Sequence, residues 1–260
     1  MKVNKKKKVP HFTYEISEEE DIKIDLLLEQ LNNKKIKHEV ALQTFYEIAD
    51  SHPLYPTVFF AIGVVFILGK KYQHAIPYFT KAAKLNPFFI DAIFNNALAH
   101  AELGDIGGQL LLLNNIVEVG NKHDEIVIKA IEIMKSLESL IQETHKIDLY
   151  TYIKNTKRFK FAQEKMKIGK WDLAIPVLEN LLKKSPDIPA ILNNLALCHA
   201  QKGKKQLAIQ HLNSALEIDA DYLPAITNIH AIENNMLEGK PLAGQQAWSF
   251  RNNPCDITEF

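Results

Sequence analysis

The side chains able to do chemistry are scattered along this chain. Ten histidines and two cysteines are spread over 260 residues, with no His-x-x-x-His or Cys-x-x-Cys pair to hold a metal ion. No glycine-rich phosphate loop and no serine nucleophile motif occurs. Cys198 falls inside a helical pattern and reads as a small core residue. His100 and His199 read as packing histidines rather than a functional pair. The run Glu18-Glu19-Glu20-Asp21 is too dense and too near a terminus for an acid/base dyad, and suits the positive end of a helix dipole. No catalytic residue, cofactor or metal is expected.

Charge excludes further classes. The 31 basic and 31 acidic residues cancel, so the chain as a whole has no electrostatic case for nucleic acid or a membrane surface. Lysines cluster at the start (Lys2, Lys5 to Lys8), but no apolar stretch follows as a signal peptide would require. Residues 1–20 are expected to be a flexible polar arm. The longest apolar run, Val58 to Leu68, is about half the length needed to cross a bilayer. A reducing, cytoplasmic setting is expected.

The positioning elements are helices. Glycine and proline are sparse, at 10 and 11, which favours helix over a turn-rich β fold. Residues 56–89 read as two short helices, with a turn at Gly69-Lys70-Lys71 and a stop at Asn86-Pro87. The pattern recurs every 34 residues, except that it is lost after residue 123 and returns three residues early at Phe161 and Ala162. Ala41, Phe45 and Pro53 return as Ala75, Phe79 and Pro87, and Leu195, Ala196, Gly203, Ala208 and Leu212 repeat a set that begins at Phe161 and Ala162. Small residues such as Gly63, Ala75 and Ala174 fit where paired helices approach closely. Large ones such as Phe59, Phe79, Leu178 and Leu212 fill the gap between units, each burial contributing roughly 1.5–3 kcal/mol. Between Gly120 and Gly169 there is no glycine or proline, and two longer helices are expected, from Asp124 to Glu143 and from about Ile147 to Ile168.

A 34-residue helix-turn-helix period with these residues resembles the tetratricopeptide repeat family over about residues 22–250. The resemblance implies an all-α, right-handed α-solenoid of stacked repeats, with an irregular long-helix break in the middle. It divides the chain into three repeats at 21–123, a capping helix at 124–146, about two and a half repeats plus a capping helix (Leu242 to Phe250) at 147–250, and a tail at 251–260.

First helices line the inner groove in that family. Carried over residue by residue, the groove falls on Thr57, Phe60, Ala61 and Val64, then Asp91, Phe94, Asn95 and Leu98. In the second block it falls on Phe159, Lys160 and Gln163, then Asn193, Asn194 and Leu197, then Thr227 and Asn228. The first groove is apolar and suits an amphipathic helix. The second is amide-rich, and the nine Lys/Arg against three Asp/Glu from Thr151 to Pro186 favour an acidic ligand. Asn95, Asn194 and Asn228 share one groove position, where a carboxamide can hold a peptide backbone. Phe60, Phe159 and Pro224 stand where chaperone-tail-binding members carry basic-clamp residues, so that subgroup is a poor match. The resemblance implies a non-catalytic adaptor for a peptide or helix of a protein partner. A dedicated chaperone for a secreted or pilus client and an enzyme's regulatory subunit are the alternatives.

Overall fold

The computed structural model describes residues 18–234. All regular structure there is α-helical, in twelve helices. They are α1 (Glu18–Asn32), α2 (His38–Ser51), α3 (Pro56–Leu68), α4 (Tyr72–Leu85), α5 (Ile90–Glu102), α6 (Ile106–Val119), α7 (Glu125–His145), α8 (Leu149–Lys167), α9 (Trp171–Lys184), α10 (Pro189–Gln201), α11 (Lys205–Ile218) and α12 (Leu223–Glu233). Glu18, Glu19 and Glu20, expected in the arm, form the first turn of α1. There their carboxylates face the positive end of the dipole. The rest of the expected arm, the expected helix from Leu242 and the tail at 251–260 lie outside the described residues.

The period shows in the helix starts. Pro56 and Ile90 begin α3 and α5, Trp171 and Lys205 begin α9 and α11, and Pro189 and Leu223 begin α10 and α12, each pair 34 apart. Turns recur with it. Gly104, Gly169 and Gly203 all adopt positive φ, at 71°, 70° and 76°, and Lys70 takes the equivalent place at 57°. A left-handed residue ends the first helix of each pair, a conformation glycine adopts without a Cβ penalty. Gly63 has the other use of glycine, because a Cβ there would lie 2.6 Å from the Phe79 ring. The two helices of that pair approach closely only because the side chain is absent.

The described residues form two compact units that interleave in sequence: those up to 103 with 115–130, and 104–114 with those from 131 on. In the first, Ile24, Phe45, Ile48, Val58, Phe59, Ile62 and Ala82 build one core across α1 to α4. Tyr46 and Tyr78 join their hydroxyls at 3.1 Å, and burial followed by this bond pushes the Tyr46 phenol up to about 12. Phe66 stacks on Tyr78 with centroids 5.5 Å apart.

In the second unit, Tyr152, Phe159, Met166, Leu178, Leu181, Ile191 and Leu195 share a core with Leu110 and Ile141. Leu192, Ala196, Ala208, Leu212, Ala225 and Ile232 continue it along α10 to α12. Helix α7 departs from expectation. It was expected to cover the end of the first repeats, but Met134, Leu137 and Ile141 pack into the second unit's core. Only its first residues, to Ala130, belong to the first unit. Helix α8 starts at Leu149 because Asp148 caps it, accepting the Thr151 amide at 2.9 Å and its hydroxyl at 2.7 Å. Those two bonds hold the Asp148 carboxyl below its usual range.

Candidate functional site

The expected groove residues fall into two groups with opposite environments. In the first unit they form stripes at i, i+3, i+4 and i+7 on α3 and α5, the spacing of one helix face. Thr57, Phe60 and Val64 are half-buried on α3, with Ala61 closed beneath them. On α5, Phe94 and Asn95 are half-buried, while Asp91 and Leu98 are exposed, Leu98 at 38%. Asn95 donates its amide to the Asp91 carbonyl at 2.9 Å, which fixes the carboxamide along the helix. The face offers apolar carbon from Val64, Phe94 and Leu98, with one carboxylate at Asp91.

Phe60 needs correcting. It was expected on the groove, yet its ring lies 5.8 Å from Phe79 and 5.0 Å from Phe89. Such tilted pairs stabilise packing beyond area burial, so Phe60 seals the seam between repeats as well as touching the groove. The repeat register gave no role to Phe89. The aromatic pair Phe88-Phe89 directly after Pro87 was the available signal.

The second unit overturns more. Helix α10 is buried from Ala190 to Ala200, with α8, α9, α11 and α12 packed against it. Asn193 and Asn194 are fully buried and Leu197 is 2% exposed. Phe159 and Asn228 are buried too; Lys160 and Gln163 are half-buried, and Thr227 is exposed. The expected amide-rich floor is therefore not an accessible surface. Asn228 donates to the Asn193 carbonyl oxygen at 2.7 Å, joining two supposed ligand groups to each other. Among the described residues, the Asn193 amide nitrogen and both polar atoms of Asn194 have no hydrogen-bond partner.

Histidine and cysteine serve packing in the second unit. His199 stacks on His211 with centroids 5.4 Å apart. Burial pushes both imidazoles down, and for His199 the neighbouring His211 and Lys204 add to it. Burial likewise pushes the Cys198 thiol up to about 12, far from the thiolate that reactivity needs. Among the described residues no group of three His, Cys, Asp or Glu is placed to hold a metal ion. None of their helices is long and apolar enough to cross a membrane.

Comparison with known proteins agrees with this architecture. Tetratricopeptide repeat family profiles match residues 56–89 and 159–222. Among solved structures, the chain resembles the TPR2AB domain of yeast Sti1 in complex with pHSP90, at 16% identity over 83% of this chain and 85% of that one, with a TM-score of 0.40. It resembles MamA from Desulfovibrio magneticus RS-1 at 14% identity, over 78% and 97%, with a TM-score of 0.36. YrrB, described as a TPR protein with an unusual peptide-binding site, matches at 14% identity over 71% and 96%, with a TM-score of 0.32. No curated protein sequence matches the chain significantly.

Proposed function

This chain is a tetratricopeptide repeat protein, a module for interaction with other proteins, and from that premise we propose that it is a non-catalytic adaptor whose docking face is the α3–α5 surface of the first unit. The occupant is an amphipathic segment of a partner. Its apolar side chains lie over Val64, Phe94 and Leu98, and a basic residue meets Asp91. The observation that carries the reading is the exposure of Leu98 beside half-buried Phe94 and Val64.

The physics of such docking is mainly apolar burial. Covering one leucine contributes up to roughly 1.5–3 kcal/mol, so three such contacts along two helices can sustain a specific complex once ordering costs are met. Recognition by a helix in a groove reads anchors at i, i+3, i+4 and i+7, the spacing presented by Asp91, Phe94, Asn95 and Leu98. The second unit acts in this reading as a scaffold, its inner helix closed. The protein is taken to work in a reducing, cytoplasmic compartment, where a free buried thiol such as Cys198 persists.

Selection of a displayed peptide library on the full chain tests this. The expected winners carry an apolar i, i+3, i+4 pattern with a basic flank, and bind Leu98→Asp at least about tenfold more weakly while helical content and melting stay unchanged. Winners that bind Leu98→Asp as well as the wild type refute the docking face.

A further inference from the structure

Two exposed helical faces of this chain, one in each unit, complement each other in charge and spacing. Helix α1 presents Glu18, Ile22, Asp25 and Glu29 on one stripe with Leu26 at its edge, all exposed, Ile22 at 66%. Positions 18, 22 and 29 advance by four and then seven residues, so they fall on one line of the helix surface. Helix α8 presents Tyr150, Lys154, Phe161 and Lys165 on a similar line, which its C-cap residue Ile168 continues. Tyr150 is 73% exposed and Phe161 43% exposed, although phenylalanine is usually a core residue. Both lysines already lie over rings of the same stripe, Lys154 5.9 Å from the Tyr150 centroid and Lys165 4.7 Å from that of Phe161.

Glu18 and Glu29 are eleven residues apart, as are Lys154 and Lys165, which is about 16 Å along each helix. Between the outer carboxylates stand Ile22 and Leu26 with a third carboxylate, Asp25; between the ammonium groups stand Phe161 and Arg158, whose guanidinium is turned to Asn180. One stripe is an acidic row carrying aliphatic carbon, and the other is a basic row carrying an aromatic ring.

We propose that the α1 face of one copy of this protein docks on the α8 face of a second copy. The contact joins different surfaces, so it is heterologous. It places Glu18 and Glu29 against the two lysines and lays Ile22 and Leu26 over Phe161. Two helices of fifteen and nineteen residues bury little area, so the association belongs to the weak class of interface. Exposed charge pairs guide it, and salt therefore weakens it. This self-association is independent of the α3–α5 docking face.

The test is sedimentation equilibrium of the full chain at about 50 mM and about 500 mM salt. The expected result is a mass that rises with protein concentration at low salt and falls back to the monomer at high salt. E18K/E29K and K154E/K165E, each leaving like charges opposed, should weaken association at least about tenfold. An equimolar mixture of the two variants restores opposite charges at both contacts and should associate as the wild type does. I22S and F161S, which change no charge, should also weaken it, with circular dichroism confirming that the variants stay folded. A monomer at every concentration, association unaffected by the reversals, or a mixture that stays monomeric would each overturn the proposal. A monomer that is nonetheless captured by an acidic amphipathic peptide would reassign the α8 face to a foreign partner.

Discussion

Helices α5 and α10 hold the same register in the two units, starting 99 residues apart at Ile90 and Pro189, and they meet opposite fates. Asn95 and Asn194 correspond, as do Leu98 and Leu197 and His100 and His199. Yet Leu98 is 38% exposed and Leu197 2%, and Asn95 bonds its own helix while Asn194 is buried with neither polar atom partnered. The same residue type at the same repeat position is thus a surface group in one unit and a buried, unsatisfied one in the other. A repeat register says which face a residue stands on. What covers that face depends on neighbours the repeat does not encode.

The largest expected effect probes how each unit is held. Phe79→Ala should destabilise the first unit by about 3–5 kcal/mol, against about 2–5 kcal/mol for Leu178→Ala at the matching place in the second. Phe79 supports both Phe60 and the close approach at Gly63. Native-state hydrogen exchange should show protection lost in α3 to α5 for the first variant and in α8 to α10 for the second. Equal losses across the chain would erase the distinction between the units.

Asn194 sharpens the comparison. A buried polar group without a partner costs about 1–3 kcal/mol, so Asn194→Leu should raise the urea midpoint by that equivalent. Asn95→Leu, on the open face, should stay within about 0.5 kcal/mol of the wild type. If Asn194→Leu destabilises the protein, the carboxamide has a partner that its burial conceals.

The turns give a smaller contrast. Gly203→Ala forces a Cβ into a left-handed residue and should cost about 1–2 kcal/mol. Lys70→Gly relieves that conformation at the matching turn of the first unit and should gain at most about 1 kcal/mol. Thermal melts read both.

The smallest effect depends on pH. The native pKa values of His199 and His211 lie below the ordinary value, through burial first and, for His199, through His211 and Lys204 next. Lys202 opposes protonation of His199 as well, and Glu179 favours it at both rings. The unfolded chain therefore binds protons more readily than the native one. The pair's stability is complete above the unfolded pKa near about 6.5 and is lost as pH falls through it toward the native values. Melting temperature should drop between about pH 7.5 and about pH 5.5. His211→Phe should reduce that drop, leaving the share of His145, also pushed down by burial. A drop unchanged in His211→Phe would remove the pair from the account.

Much of the fold was legible because its signals are local. Gly63, Ala75, Phe79 and Pro87 each answer a steric demand within one helix pair, and the left-handed turn at Gly169 and Gly203 repeats with the period. The start of α8, expected at about Ile147, is fixed by Asp148 through a cap that the sequence reading did not use, although such a cap needs only the next three residues. The packing of α7 was not legible. Met134, Leu137 and Ile141 have the same period whichever core they join, and periodicity fixes a helix's apolar face without naming its neighbour. The site was legible in part for the same reason. Val64, Phe94 and Leu98 were placed on a face that is accessible, while Asn193, Asn194 and Leu197 were placed on one that long-range packing has closed. Phe60 lies between these cases, because its partner Phe89 stands in the link between α4 and α5, at a place to which the repeat pattern assigned no role.

Thiol modification of Leu98→Cys and Leu197→Cys, with Cys198 and Cys255 replaced by serine, tests this difference most directly when done with and without a library-selected peptide. Leu98→Cys should react rapidly and be protected by the peptide, while Leu197→Cys should stay unreactive in both conditions. A Leu197→Cys thiol that reacts rapidly and is the one the peptide protects would place the docking face in the second unit and contradict the account.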